Sequence, residues 1–386
     1  MRNLRDRLKR IQELKKTDDK KINNVQPDDV PQETPPAVHT QELVVSELIN
    51  AGWESCGYKV YKRVMTLNSP VIYTRSLPLA IKILVPDLSG QELPEIEDFL
   101  FFDLETTGLS GGAGTVAFLA AFANIENAPP DKKHQSVKCN LSVKQYLLLD
   151  YPGESDFITN VINELTGSSK VIVSYNGKCF DSQIIKTRCL MNRFKPPEYK
   201  HVDLLHPARR LWKNIIHDCS QTSVEAGILN IKRINDLPGS LAPEIWFEFL
   251  KTGRTDRLKG ICDHNKDDIY GLASIFQAMI SIAQEPLDTE KYKFDAERLA
   301  LYWRRYLKKY GNAFSDDIRI NGNNLLRFAS DKNYPRAVYV YGYDLMKDGK
   351  FAESLKYVNT GLKLFDMESI WHKKLLRRKE RLIKLI

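Results

Sequence analysis

The sequence has little cysteine and no long hydrophobic run, and both absences restrict the class of protein. Six cysteines are spread over 386 residues and none form a CxxC pair, which argues against a disulfide scaffold and favours free thiols in a reducing compartment. The longest apolar run, 116–123, has eight residues, against the roughly 20 that span a bilayer. The opening MRNLRDRLKRIQELKK lacks the apolar segment of a signal peptide. We therefore expect a cytoplasmic protein with no membrane partner.

The net charge of +8 is concentrated at the two ends of the chain. Residues 1–21 carry nine basic and four acidic groups, and residues 367–386 carry seven basic and two acidic groups. The 345 residues between them sum to −2. The charge that favours a polyanionic partner therefore lies at the termini, which we interpret as auxiliary contacts to a polyanion or to a protein partner.

The order of apolar patterns predicts four segments. They are a basic, largely disordered segment at 1–40, a lead-in segment at 41–98, an α/β domain at 99–285 and a helical domain at 290–386. In the α/β domain, strands are expected at 99–103, 115–123, 137–149, 171–175 and 201–205, and helices at 155–165, 180–191 and up to 284. Because several strands precede the alternation with helices, the fold class is a mixed sheet flanked by helices, followed by an all-α region.

Two further patterns outside the α/β domain are informative. In the lead-in segment, GWESCGYKVYKRV and 77–86 each have the composition of a strand. In the C-terminal region, 337–346 and 351–364 form a helix–turn–helix of about the length of one tetratricopeptide unit. The alternative is a helical appendage without repeat ancestry.

Two acids stand at the end of the first strand of the α/β domain. Asp103 and Glu105 are two residues apart in FFDLETTG, so both carboxylates face the same side of the strand. A divalent cation would relieve their repulsion, because hard cations prefer oxygen ligands. The alternative is a solvated pair on an exposed strand edge.

Further acids follow at a helix start and on a late helix. Asp181 comes after the turn Asn176-Gly177, where it is either a metal ligand or an ordinary acid favoured by the helix dipole. His264 and Asp268 in HNKDD are four residues apart and share one helical face. They are either a hydrogen-bonded structural pair or a metal-binding acid beside a base that activates water.

Taken in order, these segments resemble the DEDD superfamily of 3′–5′ exonucleases with a ribonuclease-H-like fold. The resemblance implies that four acids hold two Mg²⁺ or Mn²⁺ ions, with the general base a few residues before the last acid. Asp103 would bridge both ions, Glu105 and Asp268 would bind one, and Asp181 the other. His264 matches the base, although the spacing H-x-x-x-D belongs to the tyrosine subgroup and the residue here is histidine.

A more specific resemblance is to the YprB-like group of ribonuclease-H-fold proteins, over about residues 50–285. The matching motifs are ETTGLSGGAGTVAFL, HVDLLHPARRLW, S-x-x-x-x-E-A-G-I-L-N-I, DLPG and HNKDDI. In that group a tetratricopeptide-like tail commonly follows. The resemblance implies that the nucleic-acid end is positioned by Thr106, Thr107, Gly108, Asn176 and Gly177.

The expected activity is a metal-dependent 3′–5′ exonuclease that hydrolyses phosphodiester bonds, with DNA expected over RNA, in nucleic-acid repair or processing. The alternative is a catalytically weak nucleic-acid-binding or partner-recruiting module, whose tail could bind a helicase or another protein. Two further groups of residues have more than one interpretation. Asp203 in HVDLL is a supporting acid, a ligand of a neighbouring ion or a solvated strand end. Arg209, Arg210 and Trp212 are either a phosphate-contacting patch or part of an amphipathic helix with exposed arginines.

Overall fold

The structure is a computed structural model. It describes residues 41–72, 77–89, 92–108, 112–127, 139–166, 171–234, 236–310 and 315–386. The basic helix and linker predicted at 1–40 lie outside these residues, as does the centre of the Gly-rich turn at 109–111.

Within the described residues, seven strands form one mixed sheet. The strands are β1 (Trp53–Gly57), β2 (Val60–Asn68), β3 (Phe99–Thr106), β4 (Ala117–Asn127), β5 (Cys139–Leu148), β6 (Val171–Ser174) and β7 (Lys200–Asp203). Their order across the sheet is β1-β2-β5-β4-β3-β6-β7. The pairs β1–β2, β2–β5, β5–β4 and β4–β3 are antiparallel, and the pairs β3–β6 and β6–β7 are parallel. The predicted mixed sheet is therefore confirmed, with β3 as a central strand.

The lead-in segment differs from the prediction in one of its two elements. GWESCGYKVYKRV folds as the hairpin β1–β2, which extends the sheet at the edge of β5. Residues 77–86 were predicted as a strand and are not one. They contain helix α2 (Ile81–Leu84), which is followed by a 3₁₀ turn at Pro86–Leu88. A short helix satisfies its own backbone hydrogen bonds, whereas a strand with a proline at each end would lack ladder donors.

Helices cover both faces of the sheet. Besides α1 (Gln41–Asn50), they are α3 (Glu154–Leu165), α4 (Asp181–Met191), α5 (Leu205–Trp212), α6 (Gln221–Gly227), α7 (Ala242–Thr252) and α8 (Asp256–Gln284). Alternate residues of β3 belong to different cores. Phe99 and Phe101 pack with Phe276 of α8, whereas Phe102 packs with Phe157 of α3. Because the side-chain period of a strand is two, Asp103 and Glu105 share the face of Phe99 and Phe101, over which α8 lies.

The C-terminal region is helical, as predicted, and its tetratricopeptide character stays a prediction. Its helices are α9 (Ala296–Tyr310), α10 (Asp316–Asp331), α11 (Pro335–Lys347), α12 (Phe351–Leu364) and α13 (Ile370–Ile383). The core beneath α8 continues into this region, because Phe294, Leu299 and Trp303 are buried in it. No helix among the described residues is both long and apolar enough to cross a bilayer.

Candidate active site

The site begins where β3 ends. A bulge between Glu105 and Thr106 shifts the register with β4, and the chain then turns. The Thr106 hydroxyl donates to the carbonyl of Gly108 at 2.9 Å, and the Thr107 hydroxyl accepts from the Val116 backbone N–H at 2.9 Å. Both hydroxyls thus stabilise the turn itself, and their expected contact with a nucleotide stays a prediction.

Helix α8 brings a histidine and an acid to Glu105. One ligand atom from each of Glu105, His264 and Asp268 lies within 4.8 Å of the other two. The Nε2 of His264 is 3.2 Å from Asp268 Oδ2 and 4.0 Å from Glu105 Oε1. Glu105 and His264 are 8% and 7% exposed, so this cluster is held in a low-dielectric environment.

Asp103 is anchored from the same helix. The Asn265 amide donates to Asp103 Oδ2 at 2.7 Å. Asn265 in turn accepts from Gln145 of β5 at 3.0 Å, and Arg63 donates to the Gln145 carbonyl at 2.8 Å. Since Gln145 and Asn265 are fully buried, this chain of polar groups fixes the orientation of Asp103.

Asp181 reaches the site from the turn after β6. Asn176 adopts the left-handed conformation with φ 66°. At Gly177, a Cβ would lie 2.4 Å from the Ser174 hydroxyl and 2.7 Å from Asp181 Oδ2, so only glycine fits there. Asp203, at the end of β7, accepts from the backbone N–H of Asn176 at 2.9 Å.

The role of Asp203 follows from its other contacts. It also accepts from the backbone N–H groups of Lys178 at 3.1 Å and Leu205 at 3.0 Å, and it is 3% exposed. It therefore holds the turn that precedes Asp181, which is the supporting role considered from the sequence. A solvated strand end does not describe it.

Three residues at this site have no role in the sequence interpretation. Arg233 donates to Asp268 Oδ1 at 2.6 Å and to both carboxylate oxygens of Glu225 at 2.8 Å. Asp236 accepts from, or shares a proton with, His264 Nδ1 at 2.6 Å. Glu225 and Asp236 lie in the motifs S-x-x-x-x-E-A-G and DLPG, which are the signals that could have found them, whereas nothing in its local sequence distinguishes Arg233.

The DLPG motif also supplies the close approach to the histidine ring. A Cβ at Gly239 would lie 2.8 Å from His264 Nε2, so a larger residue would displace the imidazole. Asp236 on one side and Gly239 on the other therefore fix the ring position.

The environment of His264 makes it a cation in this arrangement. Burial alone would lower its pKa, but the carboxylates of Asp268 and Asp236 outweigh burial and raise the pKa to about 9. Because carboxylates only accept hydrogen bonds, both ring nitrogens donate. Burial would likewise raise the pKa of Asp268, but its contacts with His264 and Arg233 lower it.

The negative charges of the other three acids are not fully balanced by neighbouring positive charges. Burial, and then the charges of Asp268, Asp181 and Glu105, raise the pKa of Asp103 well above its ordinary value. Burial raises the pKa of Glu105 to about 8, against the opposing charge of His264. Burial and the charge of Asp203 raise the pKa of Asp181 to about 7. Buried, mutually repelling carboxylates are favourable ligands for a hard divalent cation.

Comparison with known proteins gives a family match for the α/β part of the chain. Residues 100–280 match the RNase_H superfamily, and the sheet order agrees with that assignment, since a three-stranded antiparallel unit, β5-β4-β3, is followed by parallel β6 and β7. This part of the chain is a ribonuclease-H-like domain. It is 40% identical over 182 residues to the uncharacterized protein YprB of Bacillus subtilis (strain 168). The match covers 46% of this chain and 41% of that protein, so less than half of either is compared.

Solved structures of exonuclease I also align with this chain at low similarity. The zinc-bound complex of Escherichia coli exonuclease I with single-stranded DNA is 18% identical, covers 49% of this chain and 41% of that chain, and gives a TM-score of 0.30. A complex of exonuclease I with SSB-Ct is 15% identical, covers 49% and 41%, and gives a TM-score of 0.29. The fold assignment rests on the family match and the sheet topology.

Proposed function

We propose that this protein is a divalent-metal-dependent nuclease that hydrolyses phosphodiester bonds from the 3′ end, with DNA as the preferred substrate. The observation that supports this function best is the convergence of Asp103, Glu105, Asp181 and Asp268. Asp103 and Glu105 come from β3, Asp181 from the start of α4 and Asp268 from α8, and the charges of Asp268, Asp181 and Glu105 all act on the ionisation of Asp103. A role in nucleic-acid repair or processing is part of the proposal.

The donor set fits Mg²⁺ or Mn²⁺. The candidate ligands are carboxylate oxygens, which hard cations prefer, and the raised pKa values of Asp103, Glu105 and Asp181 mark negative charge without a full counter-charge. Two such ions would stabilise the attacking and leaving oxygens of the phosphodiester. Asp103, Glu105, Asp181 and Asp268 would hold them.

The protein's own residues set the geometry for this chemistry. Asn265 aims Asp103, and Asp203 holds the turn that places Asp181. Asp236 fixes the His264 ring at Nδ1. With Nε2 donating to Asp268, His264 is a proton donor, and it can accept a proton from water only after Nε2 has lost its own proton.

A second candidate is a nucleic-acid-binding module with weak catalysis. It is favoured by Arg233, whose guanidinium lies 2.6 Å from Asp268 Oδ1. Together with His264, it gives Asp268 two cationic partners in the protein itself. An acid satisfied in this way has less to gain from a metal ion.

The deciding experiment is a cleavage assay with 3′- and 5′-labelled DNA and RNA of one sequence. We expect a ladder that shortens from the 3′ end with Mg²⁺ or Mn²⁺, loss of activity in EDTA, and loss of activity in Asp103→Asn. The neighbouring variant Asp267→Asn is the matched control, because it removes one negative charge next to Asp268 from a partly exposed side chain that pairs with Lys266 and lies outside the cluster. Binding without cleavage under every condition would support the second candidate, and products shortened from the 5′ end would contradict the proposed polarity.

A further inference from the structure

A cleft of about 750 Å³ lies between α5, α9 and the start of α11. Six basic side chains line it, and they are Arg209, Arg210, Lys213, Arg298, Arg305 and Arg336. Only two acids, Asp295 and Glu297, are among its lining residues. This excess of positive charge contrasts with the net −2 of residues 22–366, so the cleft is a local concentration of cations on a body that is not basic.

The two acids are already engaged by groups other than the basic side chains. Asp295 accepts from the Asn214 amide at 2.7 Å, and its other oxygen accepts from a backbone N–H in the first turn of α9. Glu297 accepts from the backbone N–H of Arg336 at 2.7 Å, at the start of α11. Both acids therefore stabilise helix starts, and the six basic side chains leave an excess of four positive charges in the cleft.

Among the residues that the structure describes, none of these six cations has a carboxylate partner within 4.0 Å. Arg210 differs from the other five because neutral groups hold it in place. It donates to the Leu84 carbonyl at 2.8 Å and stacks 3.8 Å from the centre of the Tyr302 ring. Arg210 and Tyr302 form a rigid wall, and the side chains of Arg209, Lys213, Arg305 and their neighbours are available to an anion.

The cleft is connected to the candidate active site by α5. This helix begins immediately after Asp203, whose carboxylate holds the turn before Asp181. It has eight residues and is therefore about 12 Å long. Arg209 lies one turn from its start and Lys213 directly follows its end, so the cations follow a path that leads away from the acids.

We propose that this basic cleft binds the sugar-phosphate backbone of the nucleic acid whose end is hydrolysed at the carboxylate cluster. The identity of the ligand rests on the proposed function, and the cleft itself rests on its unpaired cations. Regularly spaced phosphates match such an array. A folded acidic protein fits less well, because the lining contains no fully apolar pocket for an anchoring side chain.

The test is binding of fluorescein-labelled dT20 and rU20, in EDTA, to the full chain carrying Asp103→Asn. Into this background we would introduce Arg209→Ala, Arg305→Ala and Arg336→Ala together, all of which are exposed. Loss of three phosphate contacts reduces the slope of log K against log salt by about 2 for a single strand, and should weaken binding roughly 10- to 100-fold near 0.1 M salt. The control triple, Lys251→Ala, Lys332→Ala and Lys363→Ala, removes the same charge from exposed sites outside the cleft and should retain both the affinity and the slope.

Equal affinity and slope in the cleft triple and the control triple would overturn the inference, and so would failure of the parent protein to bind either oligonucleotide. Thermal unfolding of each variant confirms that the fold is retained. Hydrolysis by the protein with its native Asp103 is assayed separately. Absence of cleavage with intact, cleft-dependent binding would refute the proposed function and leave the cleft inference standing.

Discussion

Asn265 donates a hydrogen bond of 2.7 Å to Asp103 Oδ2, and this contact joins the 29-residue helix α8 to the interior strand β3. The two residues are 162 positions apart in the sequence. Asn265 stands between His264 and Asp268 in HNKDD, so a single helical turn supplies the candidate base, the amide that aims Asp103 and the last acid. The geometry of the candidate site therefore depends on the packing of α8 against β3.

Asn265→Ala should destabilise the protein and disturb Asp103 together. Asp103 loses its amide donor, and the Gln145 amide loses one of its two acceptors. Leaving such buried groups unsatisfied costs about 1–3 kcal/mol. Denaturant unfolding in EDTA measures this change, with Lys251→Ala as an exposed control. An unfolding free energy within about 0.5 kcal/mol of the parent, the range of an ordinary surface change, would show that the hydrogen bond does not matter.

Asp103→Asn should stabilise the protein in EDTA while it removes the response to metal ions. The neutral amide avoids the burial of a charged group and the repulsion by Asp268, Asp181 and Glu105 that together raise the pKa of Asp103, and its oxygen can still accept from Asn265. We therefore expect the unfolding free energy of Asp103→Asn in EDTA to exceed that of the parent. The parent should gain about 2.7 kcal/mol when Mg²⁺ or Mn²⁺ is present at 100 times its dissociation constant, and the variant should gain much less.

Thermal unfolding with and without each ion provides the measurement. Asp267→Asn, which alters a partly exposed acid of the same motif, should keep the full response to metal. If Asp103→Asn is stabilised by the ions as strongly as the parent, Asp103 is not a ligand.

Arg233→Met should be among the most destabilising single substitutions at the site. It leaves Glu225, which is 1% exposed, without its guanidinium, and breaking a buried ion pair from one side costs about 3–5 kcal/mol. Arg233→Lys should also be poorly tolerated, because an ammonium cannot reproduce the two parallel contacts to Glu225.

The partner substitution separates loss of pairing from loss of packing. In the double variant Arg233→Met/Glu225→Gln the uncompensated charge is gone, so we expect most of the lost stability to return in denaturant unfolding. Equal stability of the single and double variants would mean that the cost of Arg233→Met lies elsewhere.

The placement of the acids on shared faces and most of the strands could be predicted from the sequence, because their signals are local, whereas the strand predicted at 77–86 was wrong. Asp103 and Glu105 end a buried apolar run, and His264 and Asp268 show helical spacing, so each pair could be placed on one face from its neighbours alone. Arg233 could not be found in this way. It lies in an irregular connection, and its partners Glu225 and Asp268 meet only when α6 and α8 pack together.

The packing of the helical tail is a second feature that local sequence signals do not reveal. Loss of strand signals after residue 290 predicts a separate domain, and deletion of 290–386 would be the obvious way to separate recruitment from catalysis. Yet Phe294, Leu299 and Trp303 are buried in the core that lies beneath α8. Such a deletion would expose that core, so point variants on the surface of the tail are the better probe of a recruiting role.

His201→Gln should remove a pH dependence of stability. His201 lies between the hydroxyls of Ser174, 2.7 Å from Nε2, and Ser182, 3.1 Å from Nδ1. Burial, and then the charge of Lys178, lower its pKa from 6.5 to about 4. As pH falls, the unfolded chain binds this proton before the folded chain does. The stability that neutral His201 contributes is therefore fully present above about pH 6.5 and is lost down to about pH 4, by up to about 3 kcal/mol.

Glutamine at position 201 can keep the hydrogen bond to Ser174 but cannot titrate. Unfolding free energies at steps between pH 7 and pH 4 should therefore converge or cross in favour of the variant at the acid end. The raised pKa values of Asp103, Glu105 and Asp181 act in the opposite direction, but they are common to both proteins and cancel in the difference. A difference between the two proteins that stays constant across this range would show that His201 is not held neutral by the fold.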